Sequence, residues 1–143
     1  MTAFVVDASV ALKWFVMQPD SALADRLLAR EFELHAPDLM RAEAANGLWR
    51  YFRNGDIRQN QGKSALAKLG RTINVWHRGD DLAGDAFDLA VALDHPAYDC
   101  IYLGLARRLG TKVITADRRL VGKVEKTACA DLVISLAEFA RGR

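Results

Sequence analysis

Two short apolar runs, each leading into an aspartate, most constrain how this chain of 143 residues can fold. The runs are FVVD at residues 4–7 and VITAD at residues 113–117. Their β-branched content is typical of core strands. In open sheets of parallel strands, ligands bind outside the carboxyl ends of the strands. Asp7 and Asp117 are therefore predicted to share one edge of a sheet.

Strand-like and helical patterns alternate along the chain. The predicted strands are Phe4–Asp7, Glu33–Ala36, Thr72–Trp76, Lys112–Ala116 and Asp131–Ile134. The predicted helices are Ser21–Glu31, Asp38–Arg53, Arg58–Leu69, Asp81–Leu93, Asp99–Leu109 and a final turn at Leu136–Ala140. Parallel strands need long crossovers, which helices usually supply. The alternation therefore predicts an α/β fold with a mainly parallel sheet flanked by helices.

Composition narrows the class of protein. Although 51% of the residues are hydrophobic, no apolar run approaches the roughly 20 residues of a membrane-spanning helix. The N-terminus lacks the basic segment of a signal peptide, so we expect one cytoplasmic domain over residues 1–143. Cys100 and Cys129 lack CxxC spacing, which favours reduced packing residues. The three histidines are too scattered in the sequence to suggest a ligand cluster.

Charge is unevenly distributed, although the net charge is only +2. Residues 41–78 carry eight basic and two acidic side chains, whereas residues 79–99 carry six acidic and no basic ones. Such basic segments are compatible with a surface that binds phosphates. Ordinary solvated helix faces explain the same pattern, and charge alone favours this second interpretation.

Two further acidic residues lie on predicted helices. Asp99 follows Pro96 in a first helical turn, where a carboxylate can cap the helix and interact with its dipole. Glu43 and Asn46 lie three residues apart, at the margin of an apolar helix face. A helix cap and an edge-of-core polar pair are the structural interpretations of these residues. The functional interpretation is a site shared with the two strand-end aspartates.

The combination favours the functional interpretation, because like charges at one edge of a sheet repel one another unless a cation binds them. The candidate acidic residues are Asp7, Glu43, Asp99 and Asp117. Oxygen ligands without histidine or cysteine suit Mg²⁺ or Mn²⁺ better than zinc, and these ions commonly serve phosphate chemistry. Ser9 and Thr115 each lie two residues from an aspartate and are candidates to orient it, although capping of local backbone is a slightly favoured alternative.

In these residues the chain resembles the PIN-domain ribonucleases, and specifically the VapC toxins of bacterial and archaeal toxin–antitoxin systems. The resemblance covers nearly the whole chain. It rests on FVVDASVALKWF at residues 4–15, the helix with Glu43 and Asn46, and YDCIYLGLARRLGTKVITADRRL at residues 98–120. It implies a PIN-like three-layer α/β/α fold. Cys100 stands where alanine is more usual in the family, and a small thiol should pack similarly.

The resemblance implies a Mg²⁺- or Mn²⁺-dependent endoribonuclease that cleaves RNA with an activated water and leaves a 5′-phosphate and a 3′-hydroxyl. The implied metal-binding residues are Asp7, Asp99 and Asp117. Glu43 would complete a second metal position or orient the water. The accompanying polar positions of the family match Ser9, Asn46 and Thr115. A homodimer and a cognate antitoxin, whose basic or aromatic side chains enter the acidic groove, are also implied.

Basic and aromatic side chains near the strand ends are candidates to contact RNA. Arg118, Arg119 and Lys13 could bind the RNA backbone, although arginines beside surface turns are common. Aromatic residues at helical spacing, among them Trp49 and Phe52, are more often core or dimer contacts than platforms for bases.

Other functions compete with this interpretation. In one common phosphatase mechanism a second aspartate is needed where Ser9 stands, and a dinucleotide-binding fold needs glycines that ASVALK, residues 8–13, does not contain. A catalytically silent PIN-like domain, which binds a protein partner through its acidic groove, stays open. Retention of four mutually repelling carboxylates argues against it.

Overall fold

A computed structural model describes residues 1–142 and contains a sheet of five strands. The strands are β1 (Thr2–Val6), β2 (Phe32–Pro37), β3 (Val75–His77), β4 (Val113–Thr115) and β5 (Val133–Ser135). Their order across the sheet is β3-β2-β1-β4-β5, and every neighbouring pair is parallel. The predicted α/β class with a parallel sheet is therefore confirmed.

Helices flank the sheet and supply its crossovers. They are α1 (Ala8–Ala11), α2 (Ser21–Asp25), α3 (Leu39–Arg53), α4 (Gln59–Thr72), α5 (Ala83–Leu93), α6 (Ala97–Leu109), α7 (Arg118–Val124) and α8 (Leu136–Arg141). Short 3₁₀ turns cover Leu12–Trp14, Arg26–Leu28, Gly79–Asp81 and Ala130–Leu132. None of the helices within residues 1–142 has both the length and the apolar character needed to cross a membrane.

The direction of the chain across the sheet reverses at β1. From β1 the chain builds β2 and β3 on one side, then returns to place β4 and β5 on the other. The carboxyl ends of β1 and β4 therefore lie side by side at a topological switch point, where open α/β sheets bind ligands. A hydrogen bond of 3.0 Å from the Asp7 N–H to the Ile114 carbonyl joins these two ends.

The core is built around α6 and the central strands. Leu103, Leu105 and Ala106 of α6 are fully buried, and this helix contacts β1, β2 and β4. The rings of Phe4, Phe32 and Phe139 lie with their centroids 5.5–5.7 Å apart and fix α8 against the sheet. Cys100 and Cys129 are free thiols buried in the same core.

Several element boundaries differ from the sequence predictions. The predicted helix Ser21–Glu31 is α-helical only as far as Asp25, and then tightens into a 3₁₀ turn as the chain approaches β2. The predicted strand at Thr72 begins at Val75, because Thr72 is still the last residue of α4. Neither α1 nor α7 was predicted. With four and seven residues, they are too short to show an apolar stripe of helical period.

Two of the three scattered histidines meet across neighbouring strands. The His35 Nδ1 lies 2.9 Å from the His77 Nε2, and the His35 Nε2 lies 2.7 Å from a Glu33 carboxylate oxygen. The two rings stack at 5.1 Å. Burial, together with His35 and Arg108, lowers the pKa of His77. Distance in the sequence was therefore a poor guide to which histidines touch.

Candidate active site

The structure brings all four candidate carboxylates to one pocket of about 300 Å³. Asp7 follows β1 directly, and Asp117 follows β4 by two residues. Glu43 reaches the pocket from α3 and Asp99 from α6. The pocket therefore lies at the switch point of the sheet, where the ends of two parallel strands meet two helices.

Asp7 is the most buried of the four, with 8% of the residue exposed. One of its oxygens, Oδ2, accepts hydrogen bonds from the Ser9 hydroxyl at 2.7 Å and the Thr115 hydroxyl at 2.8 Å. Each hydroxyl oxygen also accepts a backbone N–H of the segment after β4, from Ala116 to Ser9 and from Asp117 to Thr115, both at 3.0 Å. Ser9 and Thr115 therefore orient Asp7 and cap local backbone at the same time.

Asp117 combines a structural role with its place in the pocket. It is the N-cap of α7, and its Oδ1 accepts the Arg119 N–H at 2.9 Å. The Arg119 guanidinium lies 3.8 Å from the same oxygen, with 93% of its side chain exposed. This contact is worth little, because water screens exposed ion pairs. The backbone cap, and not the arginine, therefore holds Asp117.

Glu43 is held by a tyrosine that the sequence analysis missed. The hydroxyl of Tyr102 donates a hydrogen bond of 2.6 Å to Glu43 Oε1, and only 1% of Tyr102 is exposed. Asn46 lines the pocket one turn beyond Glu43 on α3. Tyr102 lies three residues after Asp99, so both lie on the same side of α6, where Asp99 lines the pocket and Tyr102 reaches Glu43. This spacing in YDCIY was the available signal, because a buried tyrosine hydroxyl usually has a polar partner.

Asp99 is not the N-cap of its helix. The N-cap of α6 is Pro96, and Asp99 is the third helical residue. Its Oδ2 lies 2.6 Å from the Nε2 of His95, which the sequence analysis also missed. The carboxylate is thus bound to a side chain beside the pocket, and the capping interpretation of Asp99 is wrong.

The pocket disfavours the negative charge that it contains. Burial raises the pKa of Asp7, hydrogen bonds from Ser9 and Thr115 lower it, and the charges of Asp99 and Asp117 raise it again. Burial likewise raises the pKa of Glu43, the Tyr102 hydrogen bond lowers it, and Asp7 and Asp99 raise it further. A bound cation would relieve this repulsion.

Hydrogen bonds within residues 1–142 occupy one oxygen of each carboxylate. The oxygens without such a bond in this part of the chain are Asp7 Oδ1, Glu43 Oε2, Asp99 Oδ1 and Asp117 Oδ2. This oxygen-only donor set fits Mg²⁺ or Mn²⁺. Within residues 1–142 no group of three or more acidic, histidine or cysteine side chains lies in an arrangement that could already hold a metal ion.

The cations predicted to contact RNA lie outside this pocket. The Lys13 ammonium binds Asp20 at 2.9 Å and Gln18 at 3.0 Å, and its side chain is only 11% exposed. Arg118 lines a neighbouring pocket between α7 and the start of α8. Among the residues that line the acidic pocket, the basic one is Arg50, which was missed. Arg50 lies on the face of α3 that carries Glu43 and Asn46, and its spacing from these residues could have identified it in the sequence.

Comparisons with known proteins add independent observations. The sequence pattern of the PIN domain matches residues 4–126. Ribonuclease VapC3 of Pyrobaculum aerophilum is 35% identical over 121 residues, covering 83% of this chain and 92% of that protein. The crystal structure of PAE2754 from Pyrobaculum aerophilum has a TM-score of 0.70 at 24% identity, covering 99% of this chain and 88% of that one. A toxin–antitoxin complex from Klebsiella pneumoniae gives 0.66 at 17% identity, covering 95% and 98%. These two structures share the fold.

Asp7→Asn is expected to stabilise the protein in EDTA at neutral pH. The amide oxygen can still accept the hydrogen bonds from Ser9 and Thr115, while the charge that burial disfavours, and that Asp99 and Asp117 repel, is removed. We expect Tm to rise by roughly 3 °C, which corresponds to about 1 kcal/mol in a domain of this size. Because the pKa of Asp7 is raised in the folded state, the gain should be full above that pKa and vanish below the ordinary value of 3.8.

The exposed Asp88 on α5 provides a matched control for this measurement, since it makes no described contact. Asp88→Asn should leave Tm unchanged at every pH. A lower Tm for Asp7→Asn in EDTA at pH 7 would show that the Asp7 charge does not oppose folding.

Tyr102→Phe is expected to lower the free energy of unfolding by about 1–2 kcal/mol, because Glu43 loses the donor of a largely buried hydrogen bond. Urea denaturation with wild type alongside measures this difference. Tyr98→Phe is the control, since Tyr98 lies one turn earlier on α6 and is 68% exposed. Equal stability of both variants would exclude a structural contribution from the Tyr102 hydroxyl.

Proposed function

Since this chain belongs to the PIN domain family, we propose that it is an RNA-cleaving hydrolase of the VapC toxin class. One observation of the structure carries the assignment to a site. Four carboxylates from distant parts of the chain line a single pocket, and the protein's own hydrogen bonds leave one oxygen of each available. This arrangement supports a metal-dependent endoribonuclease, and membership of the PIN family implies that it leaves a 5′-phosphate and a 3′-hydroxyl.

The four carboxylates have different tasks in this proposal. Asp7, Asp99 and Asp117 would hold a divalent cation, directly or through water. When bound, Mg²⁺ or Mn²⁺ supplies a Lewis acid that polarises a phosphodiester and lowers the pKa of an attacking water. Glu43 accepts the proton of that water or orients it. Burial raises the pKa of Glu43, which makes its carboxylate a stronger base than an exposed glutamate.

The remaining polar residues prepare this chemistry. Ser9 and Thr115 fix one oxygen of Asp7, and Tyr102 fixes one oxygen of Glu43, so neither carboxylate must reorganise when substrate enters. Asn46 lines the pocket beside Glu43 and can donate an amide N–H to an RNA oxygen. Thus side chains with fixed orientations surround the phosphodiester.

Phosphate must enter a pocket of mostly negative charge, and Arg50 is the cation placed to assist it. Its side chain is exposed, lines the pocket and has no described ion pair. We assign it to a phosphate of the RNA backbone, beside the scissile bond. Arg118 and Arg119 remain predicted contacts with flanking RNA, whereas Lys13 would first have to leave Asp20.

The assignment to the VapC toxin class also implies protein partners for this chain. The Klebsiella pneumoniae structure with this fold is a toxin–antitoxin complex. We propose that a cognate antitoxin neutralises this chain by placing side chains in the acidic pocket, and that the chain forms a homodimer. Cellular RNA is the proposed substrate, and the cytoplasm is the proposed place of action.

Cleavage of total cellular RNA tests the proposed activity. The purified chain should release discrete fragments in Mg²⁺ or Mn²⁺ and none in EDTA. Asp7→Asn should reduce cleavage by about 100-fold or more, the scale at which single catalytic groups act. Asp88→Asn is the control and should cleave like wild type. Fragments that persist in EDTA or in Asp7→Asn would contradict this site, whereas a folded chain inactive on all cellular RNA would favour a silent, partner-binding domain.

Arg50→Gln is expected to weaken RNA binding several-fold, raise KM more than it lowers kcat, and reduce the salt slope of binding by about 1. The control is Arg53→Gln on the same helix, because the Arg53 guanidinium lies over the Trp49 ring at 5.5 Å and outside the pocket. Filter binding at several salt concentrations, together with steady-state cleavage, separates the two variants. Equal effects would assign Arg50 to general surface charge.

A further inference from the structure

The turn between α5 and α6 has an unusual backbone. Asp94 has φ 52° and ψ 53°, and it is the one residue other than glycine with a positive φ within residues 1–142. A side chain with a Cβ rarely adopts this left-handed conformation. Pro96 follows two residues later as the N-cap of α6. Asp94 is the C-cap of α5, where helices often end in this left-handed conformation, so the turn ends one helix and begins the next within three residues.

His95 lies between these two residues, and its backbone is fixed on both sides. Its N–H donates to the Ala90 carbonyl at 3.2 Å, which closes α5. Its own carbonyl accepts the Cys100 thiol at 3.9 Å, which ties it to the first turns of α6. The turn therefore sets the backbone of His95 in a fixed place relative to α6.

That place is beside the acidic pocket. The His95 Nε2 lies 2.6 Å from Asp99 Oδ2, and the His95 side chain is only 14% exposed. Asp99 itself is 29% exposed at the side chain and lines the pocket. At the third position of α6, its carboxylate would otherwise be free to turn toward the unpaired N–H groups of the first helical turn.

His95 fixes one oxygen of Asp99, just as a hydrogen bond fixes one oxygen of each of the other three carboxylates. Hydroxyl groups fix one oxygen of Asp7 and one of Glu43, and a backbone N–H fixes one of Asp117. Without His95, Asp99 would be the one carboxylate of the pocket with neither oxygen fixed by the described residues. Hydrogen-bond partners of this kind orient metal ligands and contribute to metal affinity.

We propose that His95 is a positioning residue, held by the turn at Asp94–Pro96, that binds Asp99 Oδ2 and thereby directs Oδ1 toward the cation. This inference rests on the proposed function, because it concerns the same pocket. It assigns no proton transfer to His95. Asp99 binds the cation well only while the imidazole fixes its orientation.

Two amide substitutions test this role, because their side chains differ in how far they extend toward Asp99. His95→Gln carries a side-chain amide N–H about as far from the backbone as Nε2, whereas the amide of His95→Asn is one methylene shorter and falls short of Asp99. His95→Phe keeps the shape of the ring without a donor. The measurement is the Mn²⁺ concentration that raises Tm by a fixed increment above its value in EDTA, which scales with the dissociation constant and requires no catalytic activity.

His95→Phe and His95→Asn should each raise this Mn²⁺ concentration about tenfold or more, and His95→Gln should stay within about threefold of wild type. His77→Phe is the control, because it removes a half-buried imidazole on β3, outside the pocket. It should leave the Mn²⁺ concentration unchanged. If His95→Phe does not fold, the comparison of Asn with Gln gives the same answer.

A purely structural role for His95 predicts a different result. The variants would then melt at a lower temperature in EDTA but need the same Mn²⁺ concentration as wild type for the same rise in Tm, and the proposal would be overturned. Tighter Mn²⁺ binding by His95→Asn would overturn it as well. Failure of the wild type to respond to Mn²⁺ would overturn the metal-dependent function itself, and the inference with it, so the two failures are distinguishable.

Discussion

The arrangement of this molecule depends on the parallel pairing of β1 with β4, which end together where the strand order reverses. This pairing lets the Thr115 hydroxyl donate a hydrogen bond to Asp7, which lies 108 positions away in the chain. The backbone bond from Asp7 to Ile114 fixes the same register. A slip of one residue in this pairing would turn Thr115 to the other face of the sheet and leave Asp7 without that donor. The site therefore depends directly on strand register.

Helix α6 connects this strand arrangement to the remaining carboxylates. It buries Leu103 and Leu105 in the core, so its position is set by packing and not by the charges that it carries. From that fixed helix Asp99 enters the pocket, and Tyr102 reaches across to Glu43 on α3. The core thus holds mutually repelling groups together, and the repulsion is a cost in stability of the kind that functional sites commonly carry.

The strand-end aspartates could be predicted from the sequence, because strands and their alternation with helices leave local patterns of apolar residues. Neighbouring parallel strands end at the same edge of a sheet, so the shared position of the aspartates follows from these patterns. The sequence did not allow the partners of the carboxylates to be predicted in the same way. His95 and Tyr102 become partners only once the α5–α6 turn and the packing of α3 on the fold are known. Helices α1 and α7 were missed for a related reason. Each begins at a strand-end aspartate and is too short for a periodic signal.

The negative charge of the pocket bears on both the proposed catalysis and its proposed inhibition. Four carboxylates, offset by only one lining arginine, repel an RNA phosphate unless additional positive charge enters with it. In the proposed function the oxygens left without protein hydrogen bonds would bind a metal ion, and they could equally accept an arginine or lysine side chain of a protein partner. A cationic side chain in this position would relieve the repulsion between the carboxylates without polarising a phosphodiester. The arrangement that would prepare the pocket for a metal would therefore also make it open to neutralisation by the proposed antitoxin.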